Sequence, residues 1–189
     1  MNSYPKRLIQ AGFTLVELLI VVIILAVLAA IIVPQFSSAT IDAQEAALDA
    51  NLARVRSAIE LYQAQHLGAY PGANPSSGGT CPTGSNPGTG TASTPNQSFM
   101  DQLLQYSDAS GKTCTAGDAT FKYGPYLRKG VPHDSITGKG SVVGDILVTT
   151  TGTPITASGT GGWAYDTKSG QIVMNSTAND TRGKAYSSH

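Results

Sequence analysis

One carboxylate, Glu17, sits in a run from Phe13 to Val33 that is otherwise free of charge. An ionised group deep in an apolar helix costs about 2.5–3.5 kcal/mol on insertion scales, so Glu17 needs a partner. One lies beside it: Thr14-Leu15-Val16-Glu17 fits T-x-x-E, a capping box in which Glu17 folds back on the Thr14 backbone N–H. A cation from outside the run is the other. The remaining reactive side chains are sparse. Cys81 and Cys114 have no zinc spacing, and His66, His133 and His189 have no second ligand nearby in sequence, so each histidine reads as a solvated surface residue and no metal site is expected. The chain has no G-x-S-x-G, no phosphate loop and no nucleophile next to a base in sequence, and is not expected to be an enzyme or to hold a cofactor.

The elements that must position Glu17 follow from the hydropathy pattern. As a helix, Phe13 to Val33 rises about 31 Å, enough to cross a hydrocarbon core of about 30 Å once. Lys6 and Arg7 precede it and acidic Asp42 and Glu45 follow, so the positive-inside rule puts the N-terminus in the cytoplasm and everything after Pro34 outside. A cleaved secretory signal, with Ser37-Ser38-Ala39 as the small residues, is the competing reading; its apolar region is usually about 7–15 residues, shorter than this one. Pro34 cannot donate to the helix ladder and should kink a continuing helix. Continuation is expected, because Ile41, Leu48, Leu52, Val55, Ile59 and Tyr62 fall on one helical face while Asp42, Glu45, Asp49, Arg54, Arg56 and Glu60 occupy the others. The spacing predicts one helix from about Leu15 to about Gln65, half in lipid and half packed on a soluble domain, ended by Gly68 and Pro71.

Residues 68–98 turn to Gly, Pro, Ser, Thr and Asn, too polar to order themselves, and read as a long surface loop or a partly disordered excursion. Asn96 or Ser98 is placed to cap a short helix carrying Phe99, Met100, Leu103 and Leu104. Farther on, 145–150 is β-rich, and 163–166 and 171–174 flank a Thr167-Lys168-Ser169-Gly170 turn as a hairpin would. The expected class is α+β: a long N-terminal helix packed on a small C-terminal antiparallel sheet, in one domain.

Lys6-Arg7, Gly12-Phe13-Thr14-Leu15-Val16-Glu17-Leu18-Leu19-Ile20-Val21-Val22 and Pro34 resemble the N-terminus of the type IV pilin and type II secretion pseudopilin superfamily. The resemblance implies a leader, 1–12, removed by a prepilin peptidase that cuts after Gly12, leaving Phe13 as a methylated N-terminus. It implies a transmembrane and filament-core helix at 13–33 and a periplasmic pilin-like domain at 34–189. In the family, Glu17 answers the amine of a neighbouring subunit, which makes it an assembly residue. Opposite charges about 4 Å apart gain about 4 kcal/mol at an effective dielectric of about 20, so such a pair offsets the insertion cost. The capping box remains the intrachain alternative.

Tyr70-Pro71, Gly124-Pro125-Tyr126-Leu127, Val131-Pro132 and Gly162-Trp163-Ala164-Tyr165-Asp166 with Gly170 are similar, more loosely, to the major pseudopilin branch. That branch carries a calcium loop near its C-terminus. Here Asp166 and Asp180 stand among neutral residues, so no calcium ligand is carried over. Cys81 and Cys114 both fall in the exported part, where an oxidising compartment favours a disulfide between them.

The formal charge is zero; without Lys6 and Arg7, ten basic residues face twelve acidic, which leaves no footprint for general nucleic-acid binding. The expected function is a structural subunit of a type II secretion pseudopilus or related filament that supports protein export. The alternatives are a type IV pilin of a surface fibre for adhesion, motility or DNA uptake, and a single-pass anchored periplasmic binding module that never polymerises. Expected partners are further copies of the chain, the prepilin peptidase, an inner-membrane assembly platform, minor pilins or pseudopilins, and the inner membrane itself.

Overall fold

A computed structural model describes residues 13–189; Lys6, Arg7, Gly12 and the rest of the leader 1–12 lie outside the described residues. Helix α1 spans Leu15–Gln65 and continues through Pro34. At its end the Gly68 N–H donates to the Gln63 carbonyl at 3.1 Å, the wrap-around bond of a Schellman-type terminus. The left-handed position is filled by Leu67, φ 56°, with Gly68 following at φ 85°. The chain divides between Ile41 and Asp42 into two compact units, and α1 contributes to both.

In the second unit α1 buries Glu45, Leu48, Leu52, Val55, Ile59, Tyr62 and His66. Their spacings alternate three and four, which is one face of a helix. The apolar stripe is therefore core, with two corrections. Ile41 is 36% exposed and outside it. Glu45, expected on a solvated face, is buried in its register.

Helix α2 (Pro95–Leu104) adds Phe99, Met100 and Leu103 to the same core. It starts earlier than the Asn96 or Ser98 cap implied: Thr94 is the N-cap, without a side-chain cap bond, and Pro95 opens the first turn, where its missing N–H costs nothing. Asn96 instead donates from Nδ2 to the Val143 carbonyl at 3.2 Å.

Strands β1 (Tyr106–Ser107) and β2 (Thr113–Cys114) form a short antiparallel pair. A three-stranded sheet has the order β3 (Ile146–Thr149), β4 (Trp163–Asp166), β5 (Ile172–Met174). β4 and β5 make the expected hairpin, with Trp163 opposite Met174 and Tyr165 opposite Ile172. Gly170, φ 69°, turns it where any Cβ would strike the Tyr70 ring. The class is α+β, but β3 joins β4 in parallel, so the sheet is mixed. The dozen or more residues between Thr149 and Trp163 supply the crossover that a parallel pair needs. β4, in the centre, is buried along its whole length.

The Gly/Pro-rich segment is irregular but not a detached excursion. Pro71, Gly72, Ser76, Gly88 and Gly90 are buried. Two polar side chains of α2 hold it. Asp101 Oδ2 accepts from Ser76 Oγ at 2.6 Å, Thr89 N at 2.8 Å and Gly90 N at 3.0 Å. Gln102 accepts from Gly72 N at 2.6 Å and donates to the Asn74 and Gly111 carbonyls at 2.9 and 2.7 Å. The segment's backbone groups thus find the partners that its own composition lacks.

Candidate assembly site

The first turn of α1 closes on itself through Glu17. Its Oε2 accepts from the Thr14 backbone N–H at 2.9 Å and the Thr14 hydroxyl at 2.8 Å, while the Glu17 N–H donates to Thr14 Oγ1 at 3.2 Å. This is the reciprocal capping box, formed within one chain. It satisfies two of the N–H groups that a helix start leaves open and holds the carboxylate beside Phe13.

Beyond that turn the helix is apolar on every face. None of Leu15–Ile32 is buried, and this stretch is long and apolar enough to cross a membrane. Phe13, at its head, is 85% exposed. A globular domain uses a helix by burying one stripe and wetting the rest, whereas a helix with no wet face must be covered all round by lipid or by other helices. Glu17 and Phe13 therefore stand at the polar tip of an uncovered apolar rod. Pro34 lies within α1, and Gly12 is outside the described residues.

The other candidate residues do structural work in the second unit. Cys81 and Cys114 are joined in a disulfide across 33 residues, with Cα atoms 5.7 Å apart. Cys114 is fully buried, so the bridge ties the Gly/Pro-rich segment to β2. Asp166 Oδ2 accepts from the Thr149 hydroxyl and the Thr151 and Gly152 N–H groups, and Oδ1 from the Lys168 and Ser169 N–H groups. Burial pushes this carboxyl up, but the bonds from Ser169, Gly152, Thr149 and Lys168 outweigh it and hold it well below the usual carboxylate range. Asp180 Oδ1 accepts from Arg182 N and Lys184 N. Both aspartates organise their own loops, and among the described residues no cluster of three His, Cys, Asp or Glu side chains is arranged around an ion.

The expectation of three solvated histidines fails for two. His133 is exposed, and only its carbonyl is used, by Asn51 at 3.1 Å. His66 is buried and stacked on Tyr62, with ring centroids 3.7 Å apart. Its Nδ1 lies 2.8 Å from the Tyr62 carbonyl and its Nε2 3.0 Å from Ser107 Oγ. Burial lowers its pKa against the opposing pull of Tyr62 and Asp108. Ser107 is equally buried, so this pair joins α1 to β1. The His189 ring is covered between Asp49 and Asp180. The one sequence signal for Glu45 and His66 was register, since both continue the three-four spacing of the stripe. Nothing local marked Asp101, Gln102 or His189.

Residues 7–33 match the family described as a prokaryotic N-terminal methylation motif. The chain is similar to type II secretion system core protein G of Pseudomonas aeruginosa, 36% identical over 66 residues, which cover 35% of this chain and 46% of that protein. It is also similar to the type IV narrow pilus major component PilA5 of Thermus thermophilus, 47% identical over 57 residues, which cover 30% of this chain and 49% of that one. The matched stretches thus span about half the length of these relatives. No solved structure matches the chain. Its N-terminal motif, its uncovered apolar helix and these relatives support a place for the chain in the type IV pilin and type II secretion pseudopilin superfamily.

Proposed function

We propose that this chain is a structural subunit that polymerises through its N-terminal helix into a type II secretion pseudopilus or a related filament supporting protein export. The observation that carries this reading is the apolar segment Leu15–Ile32, exposed on all sides, with one carboxylate in its first turn. In the inner membrane lipid covers that segment, and in a filament the helices of neighbouring copies replace the lipid. Cytoplasmic Lys6 and Arg7 set a single-pass topology with the folded unit in the periplasm. A prepilin peptidase cuts after Gly12 and Phe13 becomes the methylated N-terminus; mass spectrometry of the native protein should find N-methyl-Phe13, and a retained Met1 overturns this. An assembly platform and minor pilins or pseudopilins are the expected partners of extraction and polymerisation.

A second reading, a type IV pilin of a surface fibre, is favoured by the similarity to the Thermus pilus component. Deletion of the gene separates the two. Loss of exported protein from the medium with normal surface fibres supports the pseudopilus, whereas loss of fibres with normal export supports the pilin. Normal export and normal fibres leave a non-polymerising anchored module.

A further inference from the structure

We propose that the His189 imidazole is an acid-closed clasp that fastens the segment Ala178–His189 onto α1. The segment is held there at three points, one of them the bond from Arg56 on α1 to the His189 carbonyl at 2.7 Å. At another, buried Glu45 accepts from Thr181 N at 2.8 Å, Thr181 Oγ1 at 3.0 Å and the Tyr186 hydroxyl at 3.2 Å. The third is the histidine ring. Its side chain is 2% exposed, with Nδ1 2.8 Å from Asp49 Oδ1 on α1 and Nε2 3.4 Å from Asp180 Oδ2. The Asp180 side chain is fully buried, and its Oδ2, like His189 Nε2, has no hydrogen-bond partner.

The other charged and titratable groups around this ring do not replace that contact. Arg182 Nε reaches Asp180 Oδ2 only at 3.6 Å, from a side chain that is 75% exposed. Arg56 on α1 spends Nη2 on the His189 and Ile172 carbonyls, at 2.7 and 3.1 Å. The Tyr186 ring lies 5.7 Å away with its hydroxyl turned to Glu45.

Two carboxylates flank one ring, one at each nitrogen. A neutral imidazole carries one N–H and can serve one of them, whereas the imidazolium carries two and serves both. When the ring loses its proton, a lone pair faces either Asp49 or the buried Asp180 oxygen. A buried carboxylate oxygen without a donor is costly, and although Asp49, 55% exposed, can turn to water, both carboxylates lose the cation between them, so deprotonation favours release of the segment. Histidine is the side chain whose charge changes in the range where such a clasp would respond.

Hydrogen exchange of the full chain in detergent micelles tests this. The amides of Asp180, Tyr186 and Ser188 donate to the Lys184, Ala178 and Ala185 carbonyls and report on the segment. After correction for intrinsic exchange, they should open about tenfold more often at about pH 8.5 than at about pH 5.5, with Leu52 and Val55 amides as the reference for global opening. Asp180→Asn keeps the Oδ1 acceptor and can present an amide donor to Nε2, which a neutral imidazole accepts and an imidazolium cannot, so its opening should no longer be greater at about pH 8.5 than at about pH 5.5. His189→Gln should also lose the pH difference while opening more often than the parent at about pH 5.5. Equal opening of the parent at both pH values overturns the proposal. So does a pH difference in the parent's direction that persists in either variant.

Discussion

In the isolated chain Glu17 answers Thr14, and in a filament the proposal has it answer the amine of Phe13 on a neighbour. Glutamine distinguishes the two, because its amide oxygen can still accept from the Thr14 N–H and hydroxyl while its charge is gone. Glu17→Gln should insert and be cut after Gly12 like the parent, with filament yield lowered about tenfold or more, as the loss of a charge pair in an apolar setting implies. Filament imaging beside membrane fractionation measures both. Normal yield from Glu17→Gln, with Glu17→Ala defective, would assign the residue to capping alone. Asp166 is the second residue whose charge matters. Its folded pKa lies below its unfolded value, so its contribution to stability is complete above about pH 3.9 and is lost as pH falls from there toward the folded pKa. Asp166→Asn should cost about 2 kcal/mol at neutral pH and shrink the acid-induced fall in melting temperature, read by thermal melts from about pH 6 to about pH 2.5.

The Gly/Pro-rich segment shows how an element forms without propensity. It has no apolar run to bury, yet a disulfide and two α2 side chains fix it against the core. Cross-linking 33 residues removes loop-closure entropy from the unfolded chain worth about 4 kcal/mol in the entropy model. The double variant Cys81→Ser, Cys114→Ser should lose stability of about that size in denaturant titrations and expose residues 77–87 to limited proteolysis. Alkylation of the non-reduced native protein should label neither cysteine. Labelling of both would mean that Asp101 and Gln102 hold the segment unaided.

At the scale of the whole molecule, every buried core side chain from Glu45 onward belongs to the unit that begins at Asp42. A chain of Asp42–His189 should therefore be soluble and monomeric, with a melting temperature within about 4 °C of the full protein in detergent. Failure to fold would give the apolar segment a part in the fold itself. Local and periodic features were readable from the sequence: both ends of α1, the apolar run, the T-x-x-E box and the β4–β5 hairpin rest on neighbours within a few residues. The paired cysteines followed from compartment and count. What the tertiary structure decided was the fate of polar side chains. Glu45 reaches Thr181 across 136 residues, His66 reaches Ser107 across 41, and Asn51 reaches the His133 carbonyl across 82. Periodicity locates the helix face that turns inward, but a carboxylate or imidazole is tolerated there only when distant donors and acceptors meet it, and one sequence does not display that meeting. The parallel placing of β3 has the same origin, since a long crossover leaves strand direction to packing, whereas the tight turn at Gly170 fixes it.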